Sequence, residues 1–145
     1  MSTGTILLVE DSDDDRTLAI RALKKNNIAN QVVCAKDGVE ALDWLFGEGE
    51  FADRDTTDRP TVVLLDLNLP RLSGHDVLER IRADSRTRSV PVVILTSSNQ
   101  EEDLVKSWDR GANSYIRKPI DFNEFSEVVR QLGVYWLLLN QLPRN

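Results

Sequence analysis

Thr61-Val62-Val63-Leu64-Leu65, closed by Asp66, is a short apolar run rich in β-branched residues, and such a run reads as a strand. Four further runs of the same kind recur at residues 5–9, 31–35, 91–95 and 114–117. The segments between them carry helical spacing and start signals. Leu18, Ala22 and Lys25 follow Ser12 and Asp13, and Leu104, Val105 and Trp108 follow Asn99. Strands and helices alternating in this way, five of each, demand parallel strands joined by right-handed crossovers, with helices on both faces of the sheet. The predicted fold class is α/β, a doubly wound five-stranded parallel sheet.

In such a sheet the functional crevice lies at the carboxyl ends of the strands, near the point where the strand order reverses. Strand one ends in Val9-Glu10-Asp11 and strand three in Leu65-Asp66. If the two strands are neighbours, three carboxylates converge. At roughly 4 Å each like-charge pair costs about 4 kcal/mol at an effective dielectric of about 20, so the cluster needs protons or a cation. Mg²⁺ suits it, being a hard ion held by one or two carboxylates, waters and a phosphate oxygen. Strand four ends at Thr96, before Ser97 and Ser98, and strand five ends at Lys118, before Pro119. A lysine ammonium neutralises phosphoryl oxygens and a threonine hydroxyl donates to one of them. With Asp66 as the central acid, the set forms a cradle in which an aspartate could take a phosphoryl group in line.

The bulk composition bounds this reading. At 145 residues, 41% hydrophobic and 29% charged, the chain suits one compact globular domain over 1–145 and leaves no room for a second. Lys and Arg total 18 against 24 acids, and the net charge of −6 argues against a nucleic-acid or anionic-membrane surface. The single cysteine, Cys34, reads as a small core residue and fits a reducing cytoplasm. Neither a signal peptide nor a membrane-spanning run is present in the sequence.

Val9-Glu10-Asp11, Leu65-Asp66-Leu67-Asn68-Leu69-Pro70, Leu95-Thr96-Ser97 and Lys118-Pro119 stand in an order and spacing that resemble receiver domains of two-component response regulators. The match covers nearly the whole chain. It implies a flavodoxin-like (βα)5 fold with strand order 2-1-3-4-5 and phosphorylation of Asp66 by a sensor histidine kinase. It further implies Mg²⁺ held by Glu10, Asp11, Asp66 and the Asn68 backbone carbonyl, and phosphoryl contacts from Thr96 and Lys118. Asp11 is the direct ligand on this resemblance; where Glu10 stands the family often has aspartate, and the longer side chain suits ligation through a metal-bound water. Tyr115 matches the switch aromatic that turns inward as the threonine moves, and Lys118-Pro119 matches a peptide bond that is usually cis in the family. The implied function is that of a cytoplasmic, stand-alone signalling switch, with catalysis limited to its own phosphotransfer and dephosphorylation.

Several features have plainer readings. Asp13, Asp14 and Asp15 are explained as capping acids at a helix start, His75 as a surface residue, and Trp44, Phe46 and Trp108 as packing. Gly74 serves a turn into the third helix, and Gly47 and Gly49 punctuate a loop. That loop, 47–60, is an extended connection placed at the amino end of strand three, opposite the crevice, and reads as solvated rather than as a partner surface. A phosphatase of the haloacid dehalogenase type is the competing reading, but it needs an acid two residues after the nucleophile, where Asn68 stands. A flavin or nucleotide binder would need a glycine-rich first turn, which acids occupy instead. An extended C-terminal helix runs to about residue 140, with an apolar stripe of Phe122, Phe125, Val129, Leu132 and Trp136. Val134, Tyr135 and Leu138 project off that stripe and point to a homodimer through this helix. The long loop and this ending resemble the regulators served by bacterial phytochrome kinases.

Overall fold

The structure, a computed structural model, describes residues 4–25, 30–96, 109–118 and 121–131. In chain order its elements are β1 (Thr5–Val9), α1 (Asp13–Lys25), β2 (Gln31–Ala35), α2 (Gly38–Phe46) and a 3-10 turn (Gly49–Phe51). There follow β3 (Val62–Asp66), α3 (Gly74–Ala83), β4 (Val92–Thr96), β5 (Ser114–Arg117) and α4 (Phe122–Gln131). The helix expected around Leu104, Val105 and Trp108 lies outside the described residues. So do Pro119, with its expected cis bond, the side chains of Phe122, Phe125 and Val129, and the 134–139 stretch that suggests a homodimer.

All five strands are parallel, in the order β2-β1-β3-β4-β5, as expected. The strand order reverses between β1 and β3, whose registers pair Val9 with Leu65. The period-two alternation of a strand divides the core into two layers. Leu7, Val9, Val63, Leu65 and Ile94 pack with α2 and α3 on one face. Ile6, Leu8, Leu64, Val93 and Leu95 pack with Ala19 and Leu23 of α1 and Val128 of α4 on the other. Each such aliphatic side chain, fully withdrawn from water, contributes about 1.5–3 kcal/mol. The strand ends are thereby pinned from both sides.

Five details differ from the sequence-based expectation. β3 and β4 both begin one residue later than expected, at Val62 and Val92, while their ends fall at the expected Asp66 and Thr96, which pair with Leu95 and Arg117. Leu18 is 46% exposed, since α1 turns Ala19 and Leu23 to the sheet instead. Cys34 is only half-buried, packed at the edge of the α1 layer. His75 is not a surface residue: it is half-buried, with both ring nitrogens withdrawn from solvent at the start of α3. The 47–60 connection is not simply solvated. Gly47 caps α2 at a φ of 65°, Gly49 turns the chain again at 55°, and Phe51 packs against the α2–α3 layer. Arg54 then stacks 3.6 Å over the Trp44 ring, so the loop folds down on α2.

Candidate functional site

Glu10 and Lys118 are set by ladders that outlast their strands, and Asp66 and Thr96 are the last residues of theirs. The Glu10 N–H donates to the Ala35 carbonyl at 3.0 Å, which continues β1 past Val9 and fixes where the side chain begins. Its carbonyl accepts from Arg16 Nη1 at 2.7 Å, and its Oε2 accepts from the Ser12 N–H at 3.2 Å. Asp66, the last residue of β3, is buried, and its Oδ1 accepts from the Asn68 N–H at 3.1 Å. Thr96, buried at the end of β4, receives the Lys118 N–H on its carbonyl at 3.0 Å, so Lys118 prolongs β5 in the same manner. The Lys118 side chain then crosses the crevice: Nζ donates to Asp66 Oδ2 at 2.9 Å, to Asp15 Oδ2 at 3.2 Å and to Glu10 Oε1.

Charge is unevenly matched here. Glu10, Asp11 and Asp66 each bring a carboxylate oxygen to within 4.8 Å of the others. Burial pushes the Glu10 carboxyl up to about 7; the Lys118 ammonium and the Ser12 N–H pull against that rise, and Asp66 adds to it. Burial also acts to lower Lys118, but its hydrogen bonds to Glu10 and Asp66 and their charges outweigh it, leaving the ammonium above the ordinary lysine range. One cation is therefore shared among more acids than it can neutralise. A compact set of hard oxygen donors with surplus negative charge fits a divalent cation of the Mg²⁺ or Mn²⁺ kind.

The structure brings Glu10, Asp11, Asp66 and Lys118 together and sets Thr96 at the neighbouring strand end. Asn68 lies exposed in the turn that caps Asp66. Tyr115 pairs in register with Ile94 on the edge strand and is 39% exposed. Two residues of the site carried only plainer expectations. Asp15 does occupy the first turn of α1, where Ser12 Oγ accepts from its N–H at 3.2 Å, but its carboxylate is also a partner of Lys118. The signal for it was its place one helical turn beyond Glu10-Asp11. Gly74 is more than a turn residue. Its N–H donates to the Leu67 carbonyl at 3.0 Å, and a Cβ there would run into the Asp66 carbonyl and come within 2.6 Å of Leu67 Cα.

Gly74→Ala is accordingly expected to destabilise the protein by about 1–3 kcal/mol, although alanine inside a helix ordinarily gains about 0.5–1 kcal/mol over glycine. The atoms in the way are backbone of the turn carrying Asp66, which must shift. Urea denaturation measures the effect, and a stability equal to or above that of the wild type would contradict it.

Comparison with known proteins agrees with this geometry. Residues 6–130 match the family model described as the response regulator receiver domain. A probable methanogenesis regulatory protein, FilR2 of Methanothrix harundinacea, is 36% identical over 138 residues, which are 95% of this chain and 86% of that protein. Response regulator Rcp1 of Synechocystis is 35% identical over 138 residues, 95% of this chain and 92% of that protein. The crystal structure of the Mn²⁺-bound form of Rcp1 covers 97% of this chain and 99% of its own, at 34% identity and a TM-score of 0.75. The bacteriophytochrome response regulator AtBRR matches with a TM-score of 0.87 and 45% identity, over 97% of this chain and all (100%) of its own. The phosphorylated cyanobacterial phytochrome response regulator RcpA matches with a TM-score of 0.78 and 36% identity, over 99% of this chain and 100% of its own. Among the described residues no helix is long and apolar enough to cross a membrane. With the sheet order, the crevice at its switch point and a family model spanning most of the sequence all in agreement, this chain belongs to the response regulator receiver domains of two-component systems.

Proposed function

We propose that the protein is a phosphorylation switch in which Asp66 accepts a phosphoryl group from the phosphohistidine of a sensor histidine kinase, and that this kinase is a bacterial phytochrome. The observation that carries the reading is the Lys118 ammonium, 2.9 Å from Asp66 Oδ2 within the acidic cluster. A carboxylate oxygen of Asp66 attacks phosphorus in line, the bond from phosphorus to the kinase histidine breaks, and the imidazole keeps the electron pair. Lys118 exchanges a carboxylate partner for a phosphoryl oxygen, and the Thr96 hydroxyl donates to another. Asp11, Asp66, the Asn68 backbone carbonyl and, through water, Glu10 are the residues that would hold Mg²⁺, which when bound supplies positive charge to the phosphoryl oxygens. As Thr96 moves toward the phosphoryl group, Tyr115 leaves its exposed position and turns inward, which carries the change to the surface around β5.

Turnover of phosphate esters is not the function supported, because the Asn68 amide cannot pass the proton that such a phosphatase needs. The phytochrome assignment draws support from AtBRR and RcpA, both phytochrome response regulators and both alike to this chain over nearly its whole length. Its test is a phosphotransfer profile with purified, autophosphorylated kinases. A bacterial phytochrome kinase is expected to label the protein at least about tenfold faster than kinases of other sensor classes, which corresponds to about 1.4 kcal/mol of discrimination. Labelling no faster than by the other kinases would contradict the assignment.

A further inference from the structure

We infer that Asp15 is a positioning residue that holds the Lys118 ammonium at the mouth of the crevice, where an arriving phosphoryl group meets it. The inference rests on the acceptor role proposed for Asp66. A lysine ammonium has three N–H donors, and three carboxylates take them here. These acceptors differ in depth. The side chains of Glu10 and Asp66 are 2% and 6% exposed, whereas that of Asp15 is 39% exposed. Two acceptors therefore draw the ammonium inward and Asp15 draws it toward solvent.

Asp15 is itself aimed. Ser12 accepts the Asp15 N–H on its Oγ and donates its own N–H to Glu10 Oε2, so one residue ties two of the three Lys118 partners to the same turn. Arg16 anchors that turn to the Glu10 carbonyl and pairs with Asp13. Asp14, exposed in the same turn, makes no such link to Lys118. With Asp15 in place, Lys118 can give up its outermost and most hydrated acceptor to a phosphoryl oxygen. Without it the ammonium settles between two buried carboxylates, and a donor must draw it out of interactions strengthened by the low local dielectric. The consequence falls on the rate of phosphoryl transfer.

The test compares Asp15→Ala, Asp15→Asn and Asp14→Ala in the full chain, with a small acyl phosphate as donor at saturating Mg²⁺. Phosphorylation rate is measured together with the ¹⁵N resonance of the Lys118 side-chain nitrogen. Asp15→Ala is expected to slow labelling by about tenfold through misplacement of the ammonium, while Asp15→Asn, which keeps an oxygen acceptor, stays within about threefold of wild type. Asp14→Ala removes the same charge from the same turn and is expected to leave both rate and resonance unchanged, whereas Asp15→Ala shifts the resonance. Labelling of Asp15→Ala at the wild-type rate or faster would overturn the inference, and so would equal slowing by Asp14→Ala, which would assign the effect to charge at the helix terminus. Failure of wild type to take up any phosphoryl group would instead overturn the acceptor role of Asp66, and the Lys118 resonance would still decide whether Asp15 holds the ammonium.

Discussion

Removing Mg²⁺ with a chelator is expected to slow phosphorylation of the wild-type protein by a small acyl phosphate at least about 100-fold, a loss of about 2.7 kcal/mol of transition-state stabilisation. The magnitude follows from the charge count in the crevice. Glu10, Asp11 and Asp66 present oxygens within 4.8 Å of one another. Lys118 is already engaged with Glu10, Asp15 and Asp66. Like charges at roughly 4 Å repel by about 4 kcal/mol per pair at an effective dielectric of about 20, and the phosphoryl group brings further negative charge into the same space. Without the cation, the cluster reduces that repulsion only by binding protons, which is the direction in which burial drives Glu10, toward about 7. Phosphoprotein formation followed on a phosphate-affinity gel, with and without chelator and after Mg²⁺ is restored, measures the loss. A rate within about threefold of the metal-replete protein would show that the surplus acids do not need a cation for transfer.

Much of this arrangement was legible in the sequence because strands leave a local record. The runs at residues 5–9, 31–35 and 114–117 coincide with β1, β2 and β5. The starts of β3 and β4 were placed one residue early, at Thr61 and Pro91, because each adjoins the apolar run, whereas the ends at Asp66 and Thr96 agree with the structure. The acids and the lysine were legible for the same reason, each marking the end of an apolar run. Asp15 was harder, because an acid in the first turn of a helix is already explained by capping, and its second partner, Lys118, lies 103 residues away along the chain. His75 and the 47–60 connection were misjudged alike. Composition makes both look wet, whereas the burial of His75, the inward turn of Phe51 and the stacking of Arg54 on Trp44 come from tertiary packing that no local pattern records. Gly74 had a turn as sufficient explanation, and only the approach of the Asp66 and Leu67 backbone reveals the second demand on it.

The role of Asp66 as the phosphoryl acceptor is the claim on which the rest depends. The other carboxylates of the crevice compete with it in principle, yet their positions set them apart. Asp66 is buried at the switch point, with one oxygen held by the Asn68 N–H and the other by Lys118, and it stands between the ends of β1 and β4. Asp11 is exposed and Glu10 is locked against Lys118 and Ser12. Asp66→Asn keeps the size and much of the hydrogen bonding of the side chain while removing its nucleophilic charge. Intact-protein mass spectrometry after incubation with an acyl phosphate and Mg²⁺ is the direct measurement. Wild type is expected to gain the mass of one phosphoryl group, lost again on mild base treatment, and folded Asp66→Asn is expected to gain none. The same mass gain on Asp66→Asn would place the phosphoryl group elsewhere and contradict the account.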